Sequence, residues 1–293
     1  MTRKLRIEYP DAIYHAYARG NERLPIYYCD DDKRFFLDLL AETIRRFSWQ
    51  GLAFCLMDNH YHLVIKTLEA TLSRGMQWLN GSYSQWFNRQ HNRTGHLFQG
   101  RFKDTLIQHG AHLNIANRYV VLNPVRAGLV SGPEQYEWSS YLATIGAGET
   151  FDCLTPDAVL AEFGVERSEA IRNYQSFVLT GIGEDSPDIY VPIFGDDDFR
   201  ETTMNEFGTD LLDHEYPRTE RQSFRPDLSR LIPFAEKRCG NNIAERNKGI
   251  VQAIHNFGYS QTEVAQYIGI HYSRVSKIMA ARRLEEKKSK GKM

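Results

Sequence analysis

The chain of 293 residues has only four cysteines, Cys29, Cys55, Cys153 and Cys239, and no two of them form a C-x-x-C pair. This spacing excludes a disulfide framework, a zinc ribbon and a thioredoxin-type site, and leaves reduced, mostly buried thiols as the expectation. A run of about eighteen apolar residues, the length needed to cross a bilayer, is also missing. The opening Met1-Thr2-Arg3-Lys4-Leu5-Arg6-Ile7-Glu8 is basic with no apolar block behind it, so neither a membrane span nor a secretory leader is expected and a cytoplasmic location is the default. No internal repeat is present. The single biased tract, Glu285-Glu286-Lys287-Lys288-Ser289-Lys290-Gly291-Lys292, reads as a solvated end.

The chain also lacks net charge, at −1, yet its charges are segregated. Residues 1–130 hold 17 Lys/Arg against 11 Asp/Glu, residues 131–227 hold 6 against 21, and residues 228–293 hold 13 against 5. The balances are +6, −15 and +8. Two basic segments flanking an acidic one suit a protein that grips a polyanion at both ends, although an ordinary uneven surface would give the same counts. With 42% hydrophobic residues there is enough apolar material for about two domains.

Periodicity supplies the elements. Ile13 to Arg19 reads as a strand ending at the Gly20-Asn21 turn, and Phe35, Phe36, Leu39, Leu40, Ile44 and Phe47 recur at helical spacing behind three aspartates at positions 30–32. Strands are expected over Gly51 to Met57 and His60 to Lys66, joined by the tight-turn pair Asp58-Asn59. A helix from Ala70 to Gln90 carries the apolar stripe Leu72, Met76, Leu79, Tyr83, Trp86 and Phe87. The alternation in Phe98 to Lys103 then predicts a half-buried strand with Gln99, Arg101 and Lys103 on its outer face. This order is the split βαβ pattern of an α+β, ferredoxin-like domain, an antiparallel sheet with helices on one face. A further helix over residues 110–123 should stop at Asn123, because Pro124 disfavours the helical conformation in the residue before it. Between Ser131 and Asp227, helices are expected over Pro156 to Phe163 and Ser168 to Leu179, followed by a Gly/Asp/Pro-punctuated loop, and no chemistry is evident there.

Residues 261–280 carry a second pattern. Val264, Ala265, Ile268, Ile270, Val275 and Ile278 fall where a helix-turn-helix needs apolar packing, with Gly269 at the turn. Tyr272, Ser273, Arg274, Ser276 and Lys277 would then lie on the exposed side of a DNA-recognition helix. The expected domains are 1–130, catalytic; 131–227, acidic and mainly helical; and 228–293, an all-α DNA-binding module.

His60-Tyr61-His62 lies in one of the expected strands, and a period of two turns both imidazoles to one face, which is half a metal site. Tyr119 and Asn123 stand four apart, so a helix brings phenol and amide to the same side as a candidate nucleophile and a candidate third ligand. Taken singly, each residue has a plainer reading. The histidines would be satisfied structural groups, Tyr119 a core residue and Asn123 a helix cap.

As an ordered set, however, the chain resembles the single-tyrosine HUH transposases, and within them the REP-associated tyrosine transposases. The resemblance rests on Tyr14-His15 with Arg19-Gly20-Asn21, His60-Tyr61-His62, Gly95-His96-Leu97-Phe98-Gln99-Gly100-Arg101-Phe102, Tyr119 with Asn123-Pro124-Val125-Arg126-Ala127-Gly128, and Trp138-Ser139-Ser140-Tyr141. It implies that His60 and His62 bind a divalent metal, Mg²⁺ or Mn²⁺, that Asn123 completes the ligand set, and that Tyr119 attacks single-stranded DNA folded as a hairpin to give a 5′-phosphotyrosine. Related transposases outside this branch have glutamine where Asn123 stands, and the shorter amide reaches less far. Arg19, Gln99, Arg101, Lys103 and Arg126 are the expected DNA contacts of this domain. Duplex DNA is the partner expected for the C-terminal module, and monomer and homodimer are equally consistent. The alternative is a domesticated, non-catalytic DNA-binding protein. A small-molecule zinc hydrolase would need a third strong ligand that no His, Cys or carboxylate convincingly supplies.

Overall fold

The computed structural model describes residues 6–185, 187–211, 228–232, 243–255 and 259–280. The expected basic tail and the domain boundary at Asp227 lie outside them. The described chain forms an α+β fold in the order β1 (Ala12–Arg19), α1 (Asp30–Phe47), β2 (Trp49–Met57), β3 (His60–Thr67), α2 (Leu72–Gln90), β4 (Lys103–Ile107), α3 (Ala111–Val121), α4 (Asn123–Arg126), α5 (Tyr141–Thr144), α6 (Pro156–Leu160), α7 (Arg167–Thr180), β5 (Ile193–Phe194) and α8 (Asp197–Leu211). The sheet runs β2-β3-β1-β4-β5, with β4 and β5 parallel and all other neighbours antiparallel. Its first four strands and two helices are the ferredoxin-like unit, and β5 adds an edge.

Local chemistry sets the ends of these elements. Asp32 is 1% exposed, and its carboxylate accepts from the backbone N–H groups of Tyr28 (2.6 Å) and Cys29 (3.2 Å), which caps α1. Met57 pairs with His60, so Asp58-Asn59 is a two-residue hairpin. The fourth strand begins five residues later than its alternation predicts. Phe98 and Phe102 are buried and Gln99, Arg101 and Lys103 exposed, as that pattern requires, but Gly100 sits at φ +73° and breaks the ladder before Lys103.

The helix expected over 110–123 breaks at Leu122, one residue early, and the chain turns directly into α4. Pro124 has no N–H to offer the Val120 carbonyl. The Asn123 side-chain amide compensates, donating to the carbonyls of Tyr119 (2.9 Å) and Val120 (3.4 Å).

Side-chain alternation divides the sheet into two faces. Tyr61 points toward α1 and α2, its ring 4.9 Å from Phe36 and its hydroxyl 2.6 Å from Asn80. The opposite face carries Ile13, Ala53, Cys55, Val64 and Ile107, packed with α3 and with Tyr141, Leu160, Tyr174 and Val178 of α5 to α7. The acidic stretch therefore helps cover the sheet. The boundary expected at residue 130 falls inside one compact unit, Arg6–Glu201.

The second unit begins at Thr202. In it Ile243–His255, Gln261–Ile268 and residues 272–280 are helical, and Ile250, Ala253, Val264, Ala265, Ile268 and Val275 share a core. Ser260 and Glu263 form a reciprocal capping box. Gly269 ends the first helix of the pair at φ +68°. No helix among the described residues is long and apolar enough to cross a membrane.

One close approach locks α2 onto the sheet. A Cβ on Gly75 would come within 2.1 Å of the Trp49 ring. Gly75→Ala is expected to destabilise the fold by ~1–3 kcal/mol, the usual cost of overpacking, read from the midpoint of chemical denaturation. An unchanged midpoint would show that this contact yields freely.

Candidate active site on the sheet face beneath helix α3

Three strands build the floor. The β1–β3 register sets Tyr17 opposite His62 and Arg19 opposite His60, and the β1–β4 register sets His15 opposite Thr105 and Tyr17 opposite Lys103. Paired residues share a face, so His15, Tyr17, His60, His62 and Lys103 project to the same side as α3.

Two of the imidazoles bond to each other, and the third is held by a neighbouring side-chain amide. His15 Nε2 lies 2.8 Å from His62 Nδ1, and His60 Nδ1 lies 2.7 Å from the Asn59 Oδ1. Asn59 can only accept there, so His60 donates from Nδ1 and its Nε2 keeps a lone pair. Both His15 and His62 are essentially without solvent contact, and His15 Nδ1 and His62 Nε2 have no hydrogen-bond partner. Burial keeps all three rings neutral. It pushes His15 down to about 3, His60 down to about 4 with help from the nearby Arg19 cation, and His62 well below the usual histidine range.

Tyr119 descends from α3 onto this floor. Its ring centroid is 6.0 Å from that of His62 and 6.1 Å from that of His15. Burial raises its hydroxyl well above the ordinary tyrosine range, as does its hydrogen bond with Tyr190, while the Arg126 cation opposes both. The Arg126 guanidinium carbon is 5.0 Å from the Tyr119 ring centre, and its Nη1 donates to the Tyr119 carbonyl at 3.1 Å. The break that Pro124 makes in the helix thus also places Arg126. Asn123 is half-buried one turn beyond Tyr119, with its amide nitrogen committed to backbone.

The hydroxyl of Tyr119 meets the hydroxyl of Tyr190 at 2.7 Å. Tyr190 comes from the loop in which sequence reading found no chemistry, and only the parallel β4–β5 pairing brings it here. His15 was visible in sequence as part of a motif but without a role. Its contact with His62 depends on the lateral pairing of β1 and β3, for which no local signal exists.

Of the expected DNA contacts, exposed Arg19 and Lys103 flank the floor, with the Lys103 ammonium 5.9 Å from the Tyr17 ring centre. Gln99 donates its N–H to the Arg19 carbonyl at 2.8 Å, and Arg101 is exposed on the bend after Gly100. Tyr272, Ser273, Arg274, Ser276 and Lys277 are all exposed in the second unit, while Val275 between them is buried. Among the described residues no group of three or more His, Cys, Asp and Glu could hold a metal ion. A metal on His60 and His62 would therefore need another kind of third donor.

Residues 8–123 match the family model described as transposase, IS200-like. The matched segment holds His15, His60, His62, Tyr119 and Asn123, and ends before Arg126 and Tyr190. Among solved structures, the chain is similar to one described as a REP-associated tyrosine transposase bound to a REP hairpin. The identity is 14% and the TM-score 0.43, with 53% of this chain and 92% of that chain covered. No curated protein matches.

The neutral imidazoles give a pH expectation with a definite sign. The unfolded chain protonates histidine near pH 6.5, whereas His15 and His60 resist until about 3 and about 4. The stability these two groups contribute is present above about pH 6.5 and is lost as pH falls through their folded values. Ring-proton NMR of the native protein should show both in the neutral form from about pH 8 down to about pH 5. A midpoint near 6.5 for either would contradict the burial argument.

Proposed function

We propose that this chain nicks single-stranded DNA and transfers strands at REP-like hairpins through a covalent 5′-phosphotyrosine on Tyr119. The observation that carries this reading is the convergence of the Tyr119 phenol and the His60/His62 pair on one sheet face, with rings 6.0 Å apart across two elements distant in sequence. The family match over residues 8–123 supports a transposase-type endonuclease.

The residues present fit a divalent metal. His62 has an unpartnered, buried Nε2, and His60 has its Nδ1 occupied by Asn59, so each has one nitrogen left for a ligand role. Asn123 would contribute its amide oxygen as the third donor, since its nitrogen caps α3. This mixed imidazole and amide set tolerates Mg²⁺ and suits Mn²⁺ better. When bound, the ion neutralises phosphate charge and acts as a Lewis acid. The protein's own residues do the remainder. His15 holds the His62 ring by its Nδ1, and α3 aims the phenol at the floor. Arg19, Gln99, Arg101, Lys103 and Arg126 engage the DNA backbone. Residues 70–103 contain five Lys/Arg and no Asp or Glu, so the α2–β4 stretch repels no phosphate.

A tyrosine suits the reaction because a phosphotyrosine conserves the phosphodiester bond energy until a 3′-hydroxyl reverses it. In the second unit, Tyr272, Ser273, Arg274, Ser276 and Lys277 would contact duplex DNA from the second helix of a helix-turn-helix. The −15 segment would keep DNA off its own surface and favour the basic flanks.

Tyr119→Phe should abolish the covalent adduct with a labelled hairpin oligonucleotide in Mn²⁺, while hairpin affinity stays within about threefold, because the change removes one oxygen and little volume. His60→Ala combined with His62→Ala should abolish metal-dependent nicking in a protein that still folds. Full cleavage by the Tyr119 variant would defeat the reading, and hairpin binding by the unaltered protein without any adduct would favour the non-catalytic alternative. Separately, Arg274→Ala with Lys277→Ala in the full chain should lower the salt slope of duplex binding by about 1.8, since each phosphate contact contributes about 0.9. An unchanged slope would remove this helix from the interface.

A further inference from the structure

The loop before β5 is anchored on both sides of Tyr190. Thr105 Oγ1 donates to the Ile189 carbonyl at 2.8 Å, the Leu106 N–H donates to the Pro192 carbonyl at 3.0 Å, and the Gln108 N–H donates to the Phe194 carbonyl at 2.9 Å. Ile189 and Ile193 are buried, while Tyr190 between them is 48% exposed. Tyr190 therefore keeps much of its surface in solvent. Yet the Tyr190 ring lies 5.1 Å from Tyr17, 5.9 Å from Tyr119, 6.0 Å from His15 and 6.5 Å from His62, and its hydroxyl is 2.7 Å from that of Tyr119.

We infer that Tyr190 is a catalytic hydrogen-bond donor to the Tyr119 oxygen, acting in both nicking and rejoining. The inference rests on Tyr119 being the nucleophile. Two hydroxyls at this distance can share a hydrogen bond in either sense, and rotation about a C–O bond exchanges the senses. Charge on the reacting oxygen removes that freedom. In nicking, the Tyr119 oxygen bonds to phosphorus, the bond from phosphorus to the DNA 3′-oxygen breaks, the phenolic proton goes to solvent and the departing 3′-oxygen takes one up. In rejoining, the 3′-hydroxyl loses its proton to solvent and its oxygen bonds to phosphorus. The bond from Tyr119 to phosphorus breaks, and Tyr119 leaves as a phenolate that is then reprotonated. Both directions pass through negative charge on one phenolic oxygen, and toward it Tyr190 can only donate. A fixed donor aimed at developing charge is worth more than a mobile water, because it needs no reorganisation at the moment of reaction. The backbone staples on β4 supply the fixity.

The test uses the full-length protein, a REP-type hairpin oligonucleotide and Mn²⁺, and compares the parent protein, Tyr190→Phe and Tyr119→Phe. Tyr190→Phe should slow single-turnover adduct formation, and slow release of the preformed adduct by an added 3′-hydroxyl strand, each by about 100-fold, the usual loss of one such donor. Hairpin affinity and the thermal midpoint should stay at parental values, which a wall or packing role for Tyr190 would not combine with two slowed chemical steps. Parental rates for Tyr190→Phe would overturn the inference, as would faster adduct formation, which would make Tyr190 a restraint on the nucleophile. Tyr119→Phe separates the two levels. If it retains the adduct, the nucleophile assignment fails. If it loses the adduct while Tyr190→Phe reacts at parental rates, only the role given to Tyr190 fails.

Discussion

The pairing of β1 with β3 is the constraint on which the site depends. Because side chains alternate along a strand, a slip of one residue would turn every member of one strand to the wrong face. The observed register sets Tyr17 against His62 and Arg19 against His60. It is enforced from the opposite side of the sheet, where Tyr14, Tyr61, Leu63 and Ile65 are fully buried beneath α1 and α2. Slippage would expose this apolar set to water at roughly 1.5–3 kcal/mol for each large side chain, so packing on one face fixes the chemistry on the other.

Burial then determines what the site residues are. In water an imidazole is half charged near pH 6.5, but here desolvation removes the charge and leaves nitrogens with lone pairs at neutral pH. The same desolvation raises the hydroxyl of Tyr119 away from its ionised form. Burial thus keeps the imidazoles neutral and the phenol protonated, and of the polar groups brought to the phenol Arg126 opposes that effect while the bond with Tyr190 adds to it. Arg126 arrives because Pro124 breaks the helix. Tyr190 arrives because a short strand joins the edge of the sheet.

The site therefore extends beyond the ferredoxin-like unit. Helices α5 to α7 share the core with α3 and seat it on the sheet, and the β5 loop adds Tyr190. Residues 131–227 carry the acidic excess that separates the two basic segments. In the structure much of that stretch is a structural cover, with its carboxylates outward and Tyr141, Leu160, Tyr174 and Val178 inward. Its charge and its packing are compatible because they lie on different faces.

The sequence by itself determined the elements whose cause is local. The alternation around His60 and His62, the helical stripe of α2, the Asp58-Asn59 hairpin and the capped helix ending at Gly269 follow from spacing and turn chemistry within a few residues. So did the exposure of Tyr272 to Lys277 around buried Val275, and the order of strands and helices that names the fold. Where a local signal was ambiguous, sequence reading erred by a few residues. Phe98 and Phe102 are buried around exposed Gln99, Gly100 and Arg101 without forming a strand because Gly100 turns the chain, and α3 ends at Val121 because the missing N–H of Pro124 acts one turn back. Tertiary structure alone decided that His15 touches His62, that Arg126 lies over Tyr119, and that Tyr190 bonds to a hydroxyl 71 positions earlier. Each of these contacts joins elements through lateral strand pairing or helix docking, whose energy is spread over many buried side chains and leaves no mark on the residues that meet.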